Sequence, residues 1–208
     1  PFRDIAWGLA EQGIAVLRYD KRTKVYGTAA YPQGVEATFD NEVVDDVISA
    51  VRLVKSLPEI DSARVYVLGH SLGGMLVPRI AQRAGEGCLG GIISLAGPVR
   101  KMEQLLTEKI TYISSLSGTQ PDVKAAVEQV INSLPESYRK METEYQPVEV
   151  ARMLKLPFLV LQGERDYQVT MQDFGMWRFG LYRNPNVLFK SYPKLNHALQ
   201  EGSGKSTP

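Results

Sequence analysis

Cysteine is almost missing from this sequence: Cys88 stands alone among 208 residues. That excludes an intrachain disulfide and any metal site built from several thiolates. Its surroundings, Gly85-Glu86-Gly87-Cys88-Leu89-Gly90, read as a flexible helix-to-strand connection, so a small half-buried filler is expected there rather than a nucleophile. An excess of one charge is also missing. Lys and Arg total 24 against 23 Asp and Glu, a net charge of +1 with no long basic run. Neither nucleic acid nor an anionic membrane surface has an electrostatic reason to be the partner. Long apolar runs are absent too. The longest are strand-sized, such as Phe158-Leu159-Val160-Leu161, far short of the roughly 20 residues that span a bilayer. Finally, no signal peptide is visible. The chain opens on Pro1 with a stretch that already reads as helix, and closes on the turn-rich Glu201–Pro208. Both ends suggest a piece of a longer protein, which makes the missing export signal uninformative.

What is present reads as one domain with a substantial core, 44% of its residues being hydrophobic. Helical spacing over Phe2, Ile5 and Leu9 stops at Gly13, and Ile14–Tyr19 reads as a buried strand. Residues 20–35 carry Gly27, Pro32 and Gly34 and read as loop. Val43, Val44, Val47, Ile48, Val51 and Val54 then mark one stripe of a long helix ended by Pro58. Arg64–Leu68 is the clearest strand; a helix over Met75–Ala84 follows, which Pro78 is expected to kink or shorten. Further strands are expected at 91–96, 157–162 and 187–192, with a helix at 171–181. Strands alternating with helices imply an α/β fold, a doubly wound, mostly parallel sheet with helices on both faces. Functional residues then gather at the carboxyl ends of the strands. Residues 99–154 break the alternation, being helical in pattern without a convincing strand. The expected organisation is a core of 1–98 and 155–208 with 99–154 inserted as a helical lid.

The chemistry starts from Gly69-His70-Ser71-Leu72-Gly73, a Gly-x-Ser-x-Gly string between strand and helix. A nucleophile elbow needs that setting: a sharp strained turn lifts the serine hydroxyl, and Gly69 and Gly73 leave room for neighbouring backbone. The helix that follows aims the Leu72 N–H at the site, where it can donate to an oxyanion. A Gly-rich turn without chemistry, or one that cradles a phosphate, is the alternative. A serine hydroxyl needs a base, and there are two histidines. His70, next to Ser71, projects away from it, which leaves His197 at the carboxyl end of the last strand. For the acid, Glu164 and Asp166 share the loop after 157–162, with Asp173 and Asp20 as further carboxylates. Asp166 is favoured, because a short carboxylate past a turn suits a fixed bond to imidazole. Ser71, Asp166 and His197 then stand in the Ser…Asp…His order of the α/β-hydrolase fold.

Gly69-His70-Ser71-Leu72-Gly73-Gly74, Leu161-Gln162-Gly163-Glu164-Arg165-Asp166 and Leu195-Asn196-His197 together resemble the three blocks of α/β-hydrolases. The nearest likeness is to the bacterial serine aminopeptidase S33 / Hydrolase_4 group of esterases and acylglycerol lipases. The resemblance implies that 99–154 is the lid shaping an acyl pocket. It also implies a His-Gly segment supplying the second oxyanion donor. No such segment precedes Asp4, so that donor is expected outside this chain. The expected function is a serine esterase using a small-molecule ester through an acyl-enzyme, with no cofactor and no metal. A serine aminopeptidase or amidase of the same fold is the alternative, and a non-catalytic binding module on that scaffold is a third reading.

Overall fold

A computed structural model describes residues 2–207. Four parallel strands form its sheet, in the order β1-β2-β3-β4. They are β1 (Tyr66–His70), β2 (Gly91–Leu95), β3 (Phe158–Gly163) and β4 (Val187–Tyr192). Their alternating apolar residues decide which face is buried. Val67, Ile92, Phe158, Val160 and Val187 point into the core against helices α4 (Leu72–Ala84), α8 (Pro147–Arg152) and α9 (Met171–Leu181). Trp177 of α9 is fully buried, stacks edge-on against Phe158, and donates its indole N–H to the Gly97 carbonyl at 2.8 Å. That bond fixes α9 to the carboxyl end of β2.

The expected elements mostly form, and the exceptions are informative. Helix α1 (Phe2–Ala10) and helix α3 (Asp45–Lys55) are present, the latter entered through a π-helical turn over Asp40–Val44. Residues 20–35, read as loop, contain a short helix α2 (Arg22–Tyr26) and a 3₁₀ turn. Helix α4 runs unbroken through Pro78. The buried strand expected at Ile14–Tyr19 is not there: the segment pairs with no described strand, and Ile14, Leu17 and Tyr19 are about half exposed. An apolar run becomes a buried strand only if a neighbour satisfies its backbone groups.

Helices on both faces were also expected. The core helices α4, α8 and α9 pack the Val67 face, whereas Tyr66, Leu68 and Leu188 on the opposite face remain exposed. Between β2 and β3 lie four helices and no described strand: α5 (Met102–Ser117), α6 (Val123–Asn132), α7 (Glu136–Glu144) and α8. This matches the helical texture of 99–154, but the segment is not uniform. Its last helix joins the core layer beside α4 and α9, with Ala151 buried. Its first, α5, leans instead on the loop after β3, through Tyr112 against Tyr167 and Lys109 Nζ donating to Gln168. No described helix is long and apolar enough to cross a membrane.

Candidate active site

Strand β1 runs directly into Ser71, whose φ of 55° and ψ of −119° lie outside the ordinary allowed regions for a residue with a side chain. Such strain persists only where neighbours hold it. Ser71 N–H donates to the Leu95 carbonyl at 3.0 Å, and the Ser71 carbonyl accepts from Met75 N–H at 3.0 Å as α4 begins. The turn is therefore clamped from both sides. A Cβ on Gly69 would run into the Gly73 carbonyl and lie 2.8 Å from Val77 Cγ1. A Cβ on Gly74 would lie 2.8 Å from the Gly97 Cα, whereas one on Gly73 would meet nothing. The steric demand thus falls on Gly69 and Gly74, not on the Gly69 and Gly73 that the pentapeptide suggests. Leu72 opens α4, and the first N–H groups of a helix have no intrahelical acceptor.

Farther along the same sheet edge, the loop after β3 carries Asp166, which is buried. Its Oδ1 accepts from the backbone N–H of Gln168 at 2.8 Å and of Val169 at 3.0 Å. Its Oδ2 accepts from His197 Nδ1 at 2.6 Å and from Gln162 Nε2 at 3.2 Å. The rival carboxylates are engaged elsewhere. Glu164 accepts from Ser191 Oγ at the surface, Asp20 pairs with Lys24, and Asp173 is fully buried against Arg100.

His197 follows β4 on a small hairpin, closed by a bridge between Leu195 and Glu201. Gly163 lets this hairpin approach: a Cβ there would strike the Leu195 carbonyl and lie 3.0 Å from that of Asn196. Arg165 holds the same hairpin from outside, its guanidinium donating to the carbonyls of Lys194, Gln200, Ser203 and Gly204. His70, the neighbour of Ser71 in the chain, reaches His197. Its Nε2 lies 2.8 Å from the His197 carbonyl oxygen, and the two rings are 4.6 Å apart. Burial, the main influence, pushes the His70 ring below the usual histidine value of 6.5, although its bond to that carbonyl opposes this. Burial, and then the nearby Asp166 charge, pushes the Tyr167 hydroxyl up.

Ser71, Asp166 and His197 each follow the carboxyl end of a strand of one parallel sheet, and Asp166 and His197 are hydrogen-bonded. Ser71 Oγ makes no hydrogen bond to His197. Gln162, Gly74, Gly163 and Arg165 support the site without being singled out by sequence reasoning. The glycines were visible in the sequence, but only the packed chain shows which backbone approaches them.

Comparison with known proteins gives a consistent picture. A profile described as the prolyl oligopeptidase family matches residues 2–207. Esterase EstD of Thermotoga maritima is 36% identical over 224 residues, covering 100% of this chain and 51% of that protein. The acylamino-acid-releasing enzyme of Sus scrofa is 26% identical, covering 93% of this chain and 26% of its own. The chain thus spans about half of EstD, and less of the larger enzyme. Among solved structures, Est1E from Butyrivibrio proteoclasticus aligns with a TM-score of 0.54 at 16% identity, covering 79% of this chain and 64% of that one. The Pyrococcus furiosus esterase Pf2001 aligns at 0.51 and 17% identity, covering 76% and 54%. These neighbours show the α/β-hydrolase fold. They do not support the narrower S33 group that the motif blocks suggested. The physical reason is that the blocks encode the geometry of a Ser…Asp…His site, which many hydrolase families share.

Proposed function

The chain belongs to the prolyl oligopeptidase family, and from that premise we propose that it is the catalytic part of a serine hydrolase that cleaves carboxylic esters through an acyl-enzyme. The observation that carries this reading is the 2.6 Å bond between Asp166 and His197 Nδ1, at the same sheet edge as the strained Ser71 turn. With Nδ1 donating to the carboxylate, Nε2 is the nitrogen left to accept a proton. Ser71 Oγ attacks the ester carbonyl and His197 Nε2 takes the hydroxyl proton. Asp166 holds the imidazole in that tautomer and stabilises the imidazolium. The carbonyl oxygen, now negative, accepts from the Leu72 N–H. His197 returns its proton to the departing alcohol. Water, deprotonated by the same nitrogen, then releases the acid and regenerates Ser71.

The second oxyanion donor is assigned to a segment outside these residues. The open sheet face, the unpaired run at Ile14–Tyr19 and the half-length match to EstD all favour further strands and helices from a longer chain. Helices α5 to α7 are assigned to the lid over the acyl pocket, and small-molecule esters are the substrates.

Ester chemistry is preferred over amide cleavage because the 36% match, over the whole of this chain and half of its relative, is to an esterase, whereas the acylamino-acid-releasing enzyme matches at 26%. Hydrolysis of p-nitrophenyl esters by the chain within its full-length protein tests this. Ser71→Ala should lower kcat by roughly 10⁴-fold or more, and retained turnover would refute the reading. Aminoacyl anilides assayed in parallel separate esterase from peptidase. Labelling of Ser71 by a fluorophosphonate separates both from a binding module.

A further inference from the structure

We propose that Gln162 is a positioning residue for the catalytic acid, completing a four-donor cage that fixes the carboxylate plane of Asp166 against His197. The proposal rests on the triad reading above and extends it to a residue with no place in the reaction itself.

Gln162 lies near the end of β3 with its side chain almost fully buried. A buried amide in a strand end is costly unless its polar atoms find partners, so what it bonds to is informative. Its Nε2 faces three oxygens: Val169 carbonyl at 2.8 Å, Gly163 carbonyl at 3.1 Å and Asp166 Oδ2 at 3.2 Å. Three acceptors around one nitrogen settle which way the amide points, because its oxygen in that place would face only other oxygens. The first two contacts tie together the ends of the acid loop, 163 and 169. The third falls on the same oxygen that receives the His197 proton bond.

A carboxylate offers about four lone-pair sites. Those of Asp166 are met by Gln168 N–H, Val169 N–H, His197 Nδ1 and Gln162 Nε2, whose two N–H groups are shared among three acceptors, so that one of them is bifurcated between Gly163 carbonyl and Asp166 Oδ2. The two backbone donors pin Oδ1 and leave the carboxylate a hinge about that oxygen. Gln162 closes the hinge from the Oδ2 side. It also withdraws electron density from the atom bonded to His197, so it sets both the direction and the strength of the acid–base bond. A residue serving only to staple the loop would influence neither.

The test replaces Gln162 by Met, which keeps the volume and removes the donor, in the full-length protein. Parallel Ser71→Ala and Asp166→Asn variants anchor the triad. Gln162→Met should lower kcat by roughly tenfold to a hundredfold, as expected for losing one hydrogen bond to a charged group, with KM little changed. The acidic limb of its pH–rate profile should move to higher pH, because a less stabilised carboxylate holds the imidazolium more firmly. The other titratable groups facing the Asp166–His197 pair are His70 and Tyr167, and both are unaltered in this variant. Proton NMR gives a readout free of turnover. The low-field His197 Nδ1 proton, assigned by its disappearance in a His197→Ala variant, should shift in Gln162→Met while the His70 signals, assigned in the same way, stay. A variant that merely melts earlier, with limb and resonance unmoved, overturns the positioning role and leaves the triad standing. Full activity in Ser71→Ala or Asp166→Asn overturns both. A variant that fails to fold is replaced by Gln162→Asn, whose shorter amide does not reach Asp166 Oδ2 in the same way; limb and resonance should move in the same directions, and failure to do so counts against the proposal.

Discussion

Replacing Arg100 by Met should unfold the protein at a distinctly lower temperature, for a reason visible in one buried ion pair. Arg100 is 5% exposed and Asp173 is 0% exposed. The guanidinium donates to Asp173 Oδ2 from Nε at 3.1 Å and from Nη2 at 2.8 Å. It also reaches Thr170 Oγ1, Gln172 Oε1 and Glu108. Arg100 thereby ties the loop after β2 to the first turn of α9 and the middle of α5. Removing one partner of a buried pair strands the other charge, which costs about 3–5 kcal/mol. Here the lower end applies. Asp173 Oδ1 still accepts from Val99 N–H at 2.9 Å and Arg100 N–H at 3.0 Å, and it sits in the favourable first turn of a helix. A loss of about 3 kcal/mol corresponds to a fall of roughly 6–12 °C for a domain near this size. Urea unfolding followed by circular dichroism gives the free energy, and a thermal scan gives the midpoint. Adding Asp173→Leu should recover only part of the loss, because the two backbone N–H groups then lose their acceptor. A single variant less than about 1 kcal/mol below the parent, at unchanged denaturant slope, would refute the claim that this pair is desolvated.

Two further outcomes follow from the elbow and its neighbour. Gly69→Ala should cost about 1–3 kcal/mol or more from overpacking against the Gly73 carbonyl, with greatly reduced fluorophosphonate labelling of Ser71. The corresponding Gly73→Ala meets no neighbour, so labelling close to that of the parent is expected there. For His70, burial leads the influences that hold its pKa below 6.5. The unfolded chain therefore binds its proton more readily than the folded one. Its contribution to stability is present above about pH 6.5 and is lost as pH falls from there toward the lower folded value. His70→Phe should flatten that part of the stability–pH curve in urea titrations at pH 5 to 8; an unchanged slope would contradict the assignment.

Much of the site is legible from residue order alone. A strand, Gly-x-Ser-x-Gly and a helix announce an elbow because the turn needs that sequence of elements. Two histidines leave little choice of base once His70 is set aside. The preference for Asp166 over Glu164 rests on side-chain length; the structure holds Asp166 buried against His197 and Glu164 out at Ser191. The expectations that fail do so for identifiable reasons. Ile14–Tyr19 has the apolar run of a buried strand, but no partner strand satisfies it among the described residues. Pro78 does not shorten α4, because packing on both sides of the helix holds the chain through the lost hydrogen bond.

His70 shows most directly how far a linear reading reaches. Adjacency in the chain sets it aside as the base for Ser71, an argument that needs local geometry alone. It could not say that the ring would come to rest on the carbonyl of His197, 127 residues away. Residue types, their order and the strand-end loops that carry them can all be read along the chain, because they follow from hydrophobic period and turn chemistry. The cage around Asp166, the glycines that must lack a side chain and the open face of the sheet emerge only once the chain is packed. Each of those depends on which distant backbone arrives beside a given atom, and local propensity carries no record of that.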